Sequence, residues 1–421
     1  MLGGAVPKAP RFMSQNRQTI FDALGRHPIH PFPARMAPGI ALAALAEAKA
    51  PLRVLDPMMG SGTVLAMARE YGHHASGIDI DPLAVLMARV WTTAIDDREV
   101  IEKGAQVLDR ARKIFTSLTQ GNAYPSDSCP ETRKFVRYWF DEHARRQLAS
   151  LASVISRVRS AVIRDALWCA FSRLIITKSS GASLAMDLSH SRPHKSFDRA
   201  PAKPFDVFNS AVATVAKNCV SSRLSNRGPR TTVGLGDARV LKSADASFDL
   251  VLTSPPYLNA IDYIRCSKFS LVWMGYNVGQ LRLTRTESIG SEAAHRDATD
   301  DVVVHAIVKD LGLRPKLSSR NFALLARYVW DMRGALSEVS RVLAEEGRAV
   351  YVVGDSTVRG TYVRNSEIVR SVAELAGLKL VTRRSRALPE NRRYLPPPRQ
   401  ADAAAPMDNR MRREVVLTFE K

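Results

Sequence analysis

Leu52-Arg53-Val54-Leu55-Asp56-Pro57-Met58-Met59-Gly60-Ser61-Gly62-Thr63 is the stretch that decides the fold. Its first five residues read as a short buried strand, its Gly-rich middle as a tight turn, and Val64–Tyr71 as a helix. Ala75–Ile80 then reads as a second strand and Pro82–Thr92 as a second helix, with an Ala/Leu-rich helix, Pro38–Lys49, upstream. This strand–loop–helix–strand alternation predicts an α/β fold with a parallel, doubly wound sheet. The alternation halts after residue 92 and resumes at Thr232–Ala238. Strands are expected at Phe248–Thr253, Ala349–Val353, Lys379–Thr382 and Glu414–Phe419, and helices at Ala323–Leu343 and Ser366–Ala376. The Pro/Arg-rich run Arg383–Arg413 reads as an irregular loop.

The segment between the two patterned halves is where the charge collects. The chain has 421 residues and a net charge of +20; residues 131–230 hold 18 Lys/Arg against 7 Asp/Glu, or +11 of it. Phe135–Arg159 and Ser160–Ile176 read as amphipathic helices, followed by a polar basic loop, Ser189–Ser196. The chain therefore divides into an N-terminal extension (1–26), a first half of the sheet domain (27–120), a basic, mainly helical insertion (121–230) and a second half (231–421). A polyanionic partner is expected, nucleic acid or an anionic membrane surface. No apolar run reaches the length of a spanning helix, and Met1–Lys8 lacks the basic-then-apolar order of a signal peptide. Cys129, Cys169, Cys219 and Cys266 have no CxxC spacing, so neither a disulfide framework nor a structural zinc site is expected. The cysteines read as small, partly buried residues of a reducing, cytoplasmic setting.

Three constellations carry chemistry. Glycines in Asp56–Thr63 let the backbone turn tightly and let a ligand approach the main chain and the free N–H groups of the following helix. The run has neither the Lys of a Walker loop nor the three-glycine dinucleotide spacing, and an ordinary tight turn is the alternative. In Gly77-Ile78-Asp79-Ile80-Asp81-Pro82, Asp79 ends the second strand where ribose hydroxyls would be held, whereas Asp81 before Pro82 reads as a helix N-cap. Together these two runs imply a nucleoside cofactor. Finally, Thr253-Ser254-Pro255-Pro256-Tyr257 ends a buried strand in a stiff turn. Acceptors fixed there, the Ser254 and Pro255 carbonyls and the Ser254 hydroxyl, suit a planar exocyclic amine. Binding its hydrogens frees the nitrogen lone pair, and Tyr257 would stack on the ring. A proline-rich turn with a buried tyrosine is the alternative.

The combination resembles the DNA amino-methyltransferases, which methylate exocyclic nitrogens with S-adenosylmethionine. The resemblance covers roughly residues 27–95 and 231–421. It implies a Rossmann-like seven-stranded methyltransferase sheet. It also implies a cofactor site at Asp56, Pro57, Gly60, Gly62 and Thr63 for the methionine part, at Asp79 for ribose and at Asp237 for adenine. Ser254, Pro255, Pro256 and Tyr257 would be the catalytic motif. Phe32, in His30–Met36, resembles the family's aromatic residue near the cofactor; a helix-entry contact is its other reading. Ser at position 254 is typical of cytosine-N4 enzymes and Asp or Asn of adenine-N6 enzymes, so cytosine N4 is favoured. No cysteine stands in the turn, against ring-carbon chemistry through a thiolate. No metal is expected, and His27, His30, His73 and His74 lack ligand spacing. An RNA base methyltransferase, or a nucleic-acid-binding protein with a relict cofactor pocket, are the other readings.

Family members flip the target base from duplex DNA, so contacts on both strands are needed. Arg192, Lys195 and Arg199 in the basic loop are candidate phosphate contacts; the alternative is a solvated face with a lid role. Tyr263 and Arg265, after the catalytic turn, are candidate substrate contacts, with core packing equally open for Tyr263. Neutralising Arg192, Lys195 and Arg199 together is expected to weaken DNA binding and flatten its log–log salt dependence by about 1 unit for each phosphate no longer neutralised. Cofactor affinity is expected to stay unchanged, and a salt titration of DNA binding checks this.

Overall fold

The computed structural model describes residues 19–31, 36–46, 48–178, 180–186, 188, 193–221, 228–258, 262–291, 296–313, 315, 317–358, 361–387 and 413–421. Seven strands form one sheet: β1 (Arg53–Asp56), β2 (His74–Asp79), β3 (Thr231–Leu235), β4 (Phe248–Thr253), β5 (Leu343–Gly354), β6 (Lys379–Ala387) and β7 (Arg413–Glu420). Their order across the sheet is β3-β2-β1-β4-β5-β7-β6. β3, β2, β1, β4 and β5 pair in parallel, while β7 inserts antiparallel between β5 and β6. The sheet is thus the expected seven-stranded Rossmann-like one, mixed because β7 runs antiparallel. Only an antiparallel strand can enter that gap without a helical crossover. β5 and β6 also run longer than the sequence pattern suggests, β6 reaching Ala387 in what reads as loop.

The helices are α1 (Ile20–Leu24), α2 (Pro38–Ala46), α3 (Thr63–Glu70), α4 (Pro82–Thr92), α5 (Asp97–Phe115), α6 (Pro130–Trp139), α7 (Glu142–Ile155), α8 (Ala161–Ile175), α9 (Pro204–Asn218), α10 (Tyr263–Leu271), α11 (Val278–Glu287), α12 (Arg296–Asp300), α13 (Val302–Asp310), α14 (Ser319–Val342) and α15 (Asn365–Leu375). The single helix expected over 135–159 is two. Asp141 breaks it, its carboxylate accepting from Ala144 N at 3.0 Å as an N-cap and from Ala200 N at 2.6 Å.

Strand side chains alternate between two cores. Val54, Leu250, Leu252, Val350 and Val352 face one side, where α3, α4 and α5 pack. Leu55, Val251, Tyr351, Val353, Leu417 and Phe419 face the other, covered by α14 and α15. The insertion builds no core of its own. Leu148, Leu151, Phe171, Phe208 and Val212 from its helices belong to the same apolar cluster as Val54 and Leu250. α9 lies so close on α5 that a Cβ at Gly104 would fall 2.8 Å from Val212 Cγ1. A helix-interior glycine costs about 1 kcal/mol against alanine; here it admits a stiff β-branched neighbour.

Gly104→Leu is therefore expected to destabilise the chain by about 2 kcal/mol through overpacking. Urea denaturation should show that loss in one transition shared by sheet and insertion. A separate early transition would mean that the insertion folds independently.

Candidate active site

The strand order reverses between β1 and β4, and at such a switch point the loops leaving two adjacent parallel strands diverge and open a crevice. Both motifs end there. Val54 and Leu55 pair with Leu250 and Val251, so Asp56 and Thr253 finish side by side. Thr253 Oγ1 donates to Asp56 Oδ1 at 2.7 Å, and Met58 N donates to the same oxygen at 3.2 Å. Asp56 is 3 % exposed, and burial pushes its carboxyl up to about 7.

The loop after β1 needs its glycines. Gly60 and Gly62 have φ of +50° and +82°, and a Cβ on Gly62 would lie 2.7 Å from Ala88 Cβ. A Cβ on Gly60 would meet nothing within 4 Å, so the main chain there borders open space. Pro57 is buried in the turn. Gly62 caps α3 without a side-chain hydrogen bond, so the first N–H groups of the helix are left for a ligand. The hydroxyls of Ser61 and Thr63 are buried without hydrogen-bond partners. These orphaned donors beside an open glycine fit a polar small molecule lying over the loop.

Asp79 joins the loop to the second strand. Its Oδ2 accepts from Gly60 N at 2.8 Å and its Oδ1 from Asp81 N at 2.9 Å. Desolvation raises its pKa despite these bonds. The Ile80 amide also bonds this carboxylate, and three donors leave part of its four lone-pair capacity open. Asp81 is the N-cap of α4, accepting from Leu83 N at 2.8 Å, as the Asp-Pro pair indicates. Its other oxygen accepts from Ser267 Oγ at 2.5 Å, which ties α4 to α10. Burial lifts this carboxyl to about 7 as well.

β3 adds the third edge. Leu235 pairs with Asp79, and Gly236 N donates to Asp79 O at 3.0 Å, which brings Asp237 to the same end of the sheet. Both Asp237 oxygens are held by Arg239, with Nε at 3.0 Å from Oδ1 and Nη2 at 2.6 Å from Oδ2. Arg239 also donates to Asp331 Oδ1 at 2.5 Å and to the Glu287 carbonyl at 2.6 Å. Arg327 Nε holds the other Asp331 oxygen at 2.8 Å. The carboxylate expected to face a cofactor is thus also the anchor of an ion-pair cluster.

In the turn after β4, Ser254 Oγ donates to the Val352 carbonyl at 3.0 Å and lies 3.4 Å from Tyr257 Oη. The single hydroxyl proton is thereby spent on Val352, and the oxygen presents itself as an acceptor. Pro255 is buried; Ser254, Pro256 and Tyr257 are half-buried. Gly290 closes one wall: a Cβ there would lie 3.6 Å from the Tyr257 carbonyl and from the Tyr328 ring. Tyr328 Oη and Tyr351 Oη are both buried without hydrogen-bond partners, and burial raises both phenols.

The structure brings together Asp56, Pro57, Gly60, Gly62, Thr63, Asp79, Asp237 and Ser254–Tyr257 at the carboxyl end of the parallel strands. Tyr263 begins α10 half-buried against the larger core, and Arg265 pairs at 3.3 Å with Asp262, the N-cap of that helix. Lys195 lies over the Tyr138 ring at 5.6 Å, and Arg199 is exposed. Phe32 and Arg192 lie outside the described residues. The sequence does not single out Thr253, Ser267, Arg239, Asp331, Tyr328 or Tyr351. Thr253 alone has a local cue, a hydroxyl ending an apolar strand; the others meet partners across long stretches of chain. Among the described residues no three His, Cys, Asp or Glu side chains gather as a metal cluster, and no helix is long and apolar enough to cross a membrane.

The chain is similar to the Type II methyltransferase M.MvaI of Kocuria varians, 23 % identical over 360 residues, which cover 79 % of this chain and 77 % of that protein. It is similar to the Type II methyltransferase M.AvaI of a Nostoc species, 23 % identical over 381 residues, 79 % of this chain and 74 % of that one. A solved TehB-like SAM-dependent methyltransferase of Corynebacterium glutamicum aligns with 90 % of this chain and 86 % of its own at 12 % identity, with a TM-score of 0.28. No family model matches the chain.

A carboxyl whose folded pKa is raised favours the protonated form. Its stabilising contribution is full in acid and is lost as pH climbs through about 7, the value for Asp81. Asp81→Asn keeps an N-capping oxygen and removes this titration. Its stability is expected to fall less than the parent's between pH 5 and 8, by on the order of 2 kcal/mol. Urea denaturation at both pH values checks this; identical losses in the two proteins would contradict it.

Proposed function

We propose that this protein transfers a methyl group from S-adenosylmethionine to an exocyclic amine of a base in DNA, with cytosine N4 as the target. One observation carries the reading: the Gly-rich loop and the Ser-Pro-Pro-Tyr turn leave adjacent parallel strands at the switch point, joined by the hydrogen bond from Thr253 to Asp56. The similarity to two Type II methyltransferases over more than three quarters of the chain supports the same activity.

The residues fit the cofactor. The Asp56–Thr63 loop, with its open Gly60 and the unpartnered Ser61 and Thr63 hydroxyls, would take the methionine portion. Asp79 would take the ribose hydroxyls on its remaining lone pairs. Asp237 would lie toward the adenine while Arg239 fixes its carboxylate. When bound, the cofactor supplies an electrophilic methyl group.

The chain's own part in the transfer is to prepare the amine. An exocyclic amine is a poor nucleophile while its lone pair is delocalised into the ring. Ser254 Oγ, its proton committed to Val352, accepts one amine hydrogen, and a carbonyl of the Ser254–Pro255 turn accepts the other. Both contacts favour a pyramidal nitrogen with its lone pair free. The Tyr257 ring holds the base in plane, as stacking requires of a flipped nucleotide. A serine oxygen at this position, rather than a carboxylate or amide, supports cytosine over adenine. The basic loop with Lys195 and Arg199 would contact the phosphates; duplex DNA is preferred over structured RNA because the motifs resemble those of the DNA amino-methyltransferases.

Tritium-labelled cofactor offered with duplex DNA and structured RNA in parallel tests the reading, followed by methylation-sensitive sequencing to identify the base. Ser254→Ala and Tyr257→Ala are expected to bind cofactor within about twofold of the parent and to lose methylation by roughly 100-fold or more. Full activity in both variants would refute the assignment of the turn, and label appearing in RNA alone would refute the choice of DNA.

A further inference from the structure

The richest unassigned feature lies away from the strand ends that hold the motifs. α5 and the turn between α7 and α8 enclose a groove of about 700 Å³. Lys103, Arg110 and Lys113 rise from the helix side, and Arg157 and Arg159 from the turn, with Glu99 at one end. Its floor is apolar, with Val107 and Val158 among the lining residues. Among the described residues none of the five cations is paired with a carboxylate; Lys103 Nζ donates only to Gln106 Oε1, at 2.9 Å. Cations left unpaired along both walls of a recess are placed for a polyanion.

The groove is remote from the catalytic turn. α7 and α8 form an antiparallel pair. At one end Phe140 meets the Phe269 and Trp273 rings at 6.3 and 5.4 Å, and Ser172 Oγ donates to Ser270 Oγ at 2.9 Å, next to the segment that follows the turn. Lys195 and the loop around it sit at that same end, Ser196 N bonding Leu184 O and Leu184 N bonding Trp139 O. The groove lies at the opposite end of the pair, past the 14 residues of α7, or about 20 Å away.

The layout of charge selects the ligand. Lys103, Gln106, Arg110 and Lys113 recur at three- and four-residue spacing and share one face of α5 over about 15 Å. Three converging donors would suit a single phosphate group. A row of this length instead matches a run of successive phosphates along one DNA strand. A recess with walls does not suit the flat face of a membrane. We propose that the groove is a second DNA contact, holding backbone phosphates of the duplex that flanks the target; the choice of DNA as the polyanion rests on the methyltransferase reading.

The test is anisotropy of a labelled 30-base-pair duplex with the full chain between 50 and 200 mM salt. One variant carries Arg110→Ala, Lys113→Ala, Arg157→Ala and Arg159→Ala. A second carries Arg110→Lys, Arg157→Lys and Arg159→Lys and keeps the charge. The alanine variant is expected to bind at least tenfold more weakly at 150 mM salt, with a log–log slope reduced by about 3 to 4. The lysine variant is expected to keep the slope within 1 unit. An unchanged slope in the alanine variant overturns the proposal, as does an equal loss in both variants. It is also overturned if the alanine substitutions abolish binding to phosphatidylserine vesicles or inorganic tripolyphosphate while leaving DNA binding intact. Methyl transfer is measured separately: a chain that transfers no label but shows the slope loss keeps the groove and refutes the activity, and active enzyme with an unmoved slope does the reverse.

Discussion

One hydrogen bond organises the site, that from the Thr253 hydroxyl to the Asp56 carboxylate across a sequence separation of 197 residues. Hydrogen bonds to charged groups in a buried setting contribute about 1.5–3 kcal/mol each. Their larger effect here is positional. The bond clamps the tips of β1 and β4 together, so the two loops that leave them diverge from a fixed point. Asp79 repeats the device one strand over, its carboxylate gripping the Gly60 amide so that the loop is held from both sides. Burial pushes the Asp56 carboxyl up to about 7, which leaves its charge sensitive to whatever occupies the crevice.

A second constraint is ionic. Asp331 is nearly inaccessible, its side chain 1 % exposed, and two guanidinium groups share its charge. Removing one partner of such a buried set costs about 3–5 kcal/mol, because the remaining charge is left desolvated and uncompensated. Arg239 spans from Asp237 at the exit of β3 to the last carbonyl of α11. Arg327 reaches the neighbouring Thr286 carbonyl at 3.4 Å. A few residues on, Gly290 backs the Tyr257 turn. The Asp237 edge, proposed to face adenine, and the wall behind the Ser254–Tyr257 turn are therefore parts of one rigid cluster.

Local chemistry is legible in the sequence and distant partnership is not. The Asp56–Thr63 turn, the Asp81 cap and the strand ending at Thr253 follow from glycine, proline and apolar runs acting over a few residues. α5 escapes the sequence pattern because its 19 residues are rich in charge, and its apolar positions, Val100, Val107, Leu108 and Ala111, form a thin stripe. The antiparallel placement of β7 has no local cue; a strand's own residues do not state which neighbour they will pair with. Arg239 reads as one of many arginines, and only its three simultaneous partners, from separate segments, distinguish it.

The adjacency of β1 and β4 also bears on how the chain reaches this state. The two strands at the switch point are separated by the whole insertion, whose helices complete the core on one face of β1. Loop closure of that length slows folding, because chain entropy must be surrendered before the strands can pair. During synthesis the first half must wait with one edge of β1 unpaired until β4 emerges and with Leu55 uncovered until α14 does, an interval in which exposed strand edges invite association. The helices of the insertion emerge before β4, and because they pack into the same core as Val54 they can settle on α5 while β1 still lacks that neighbour.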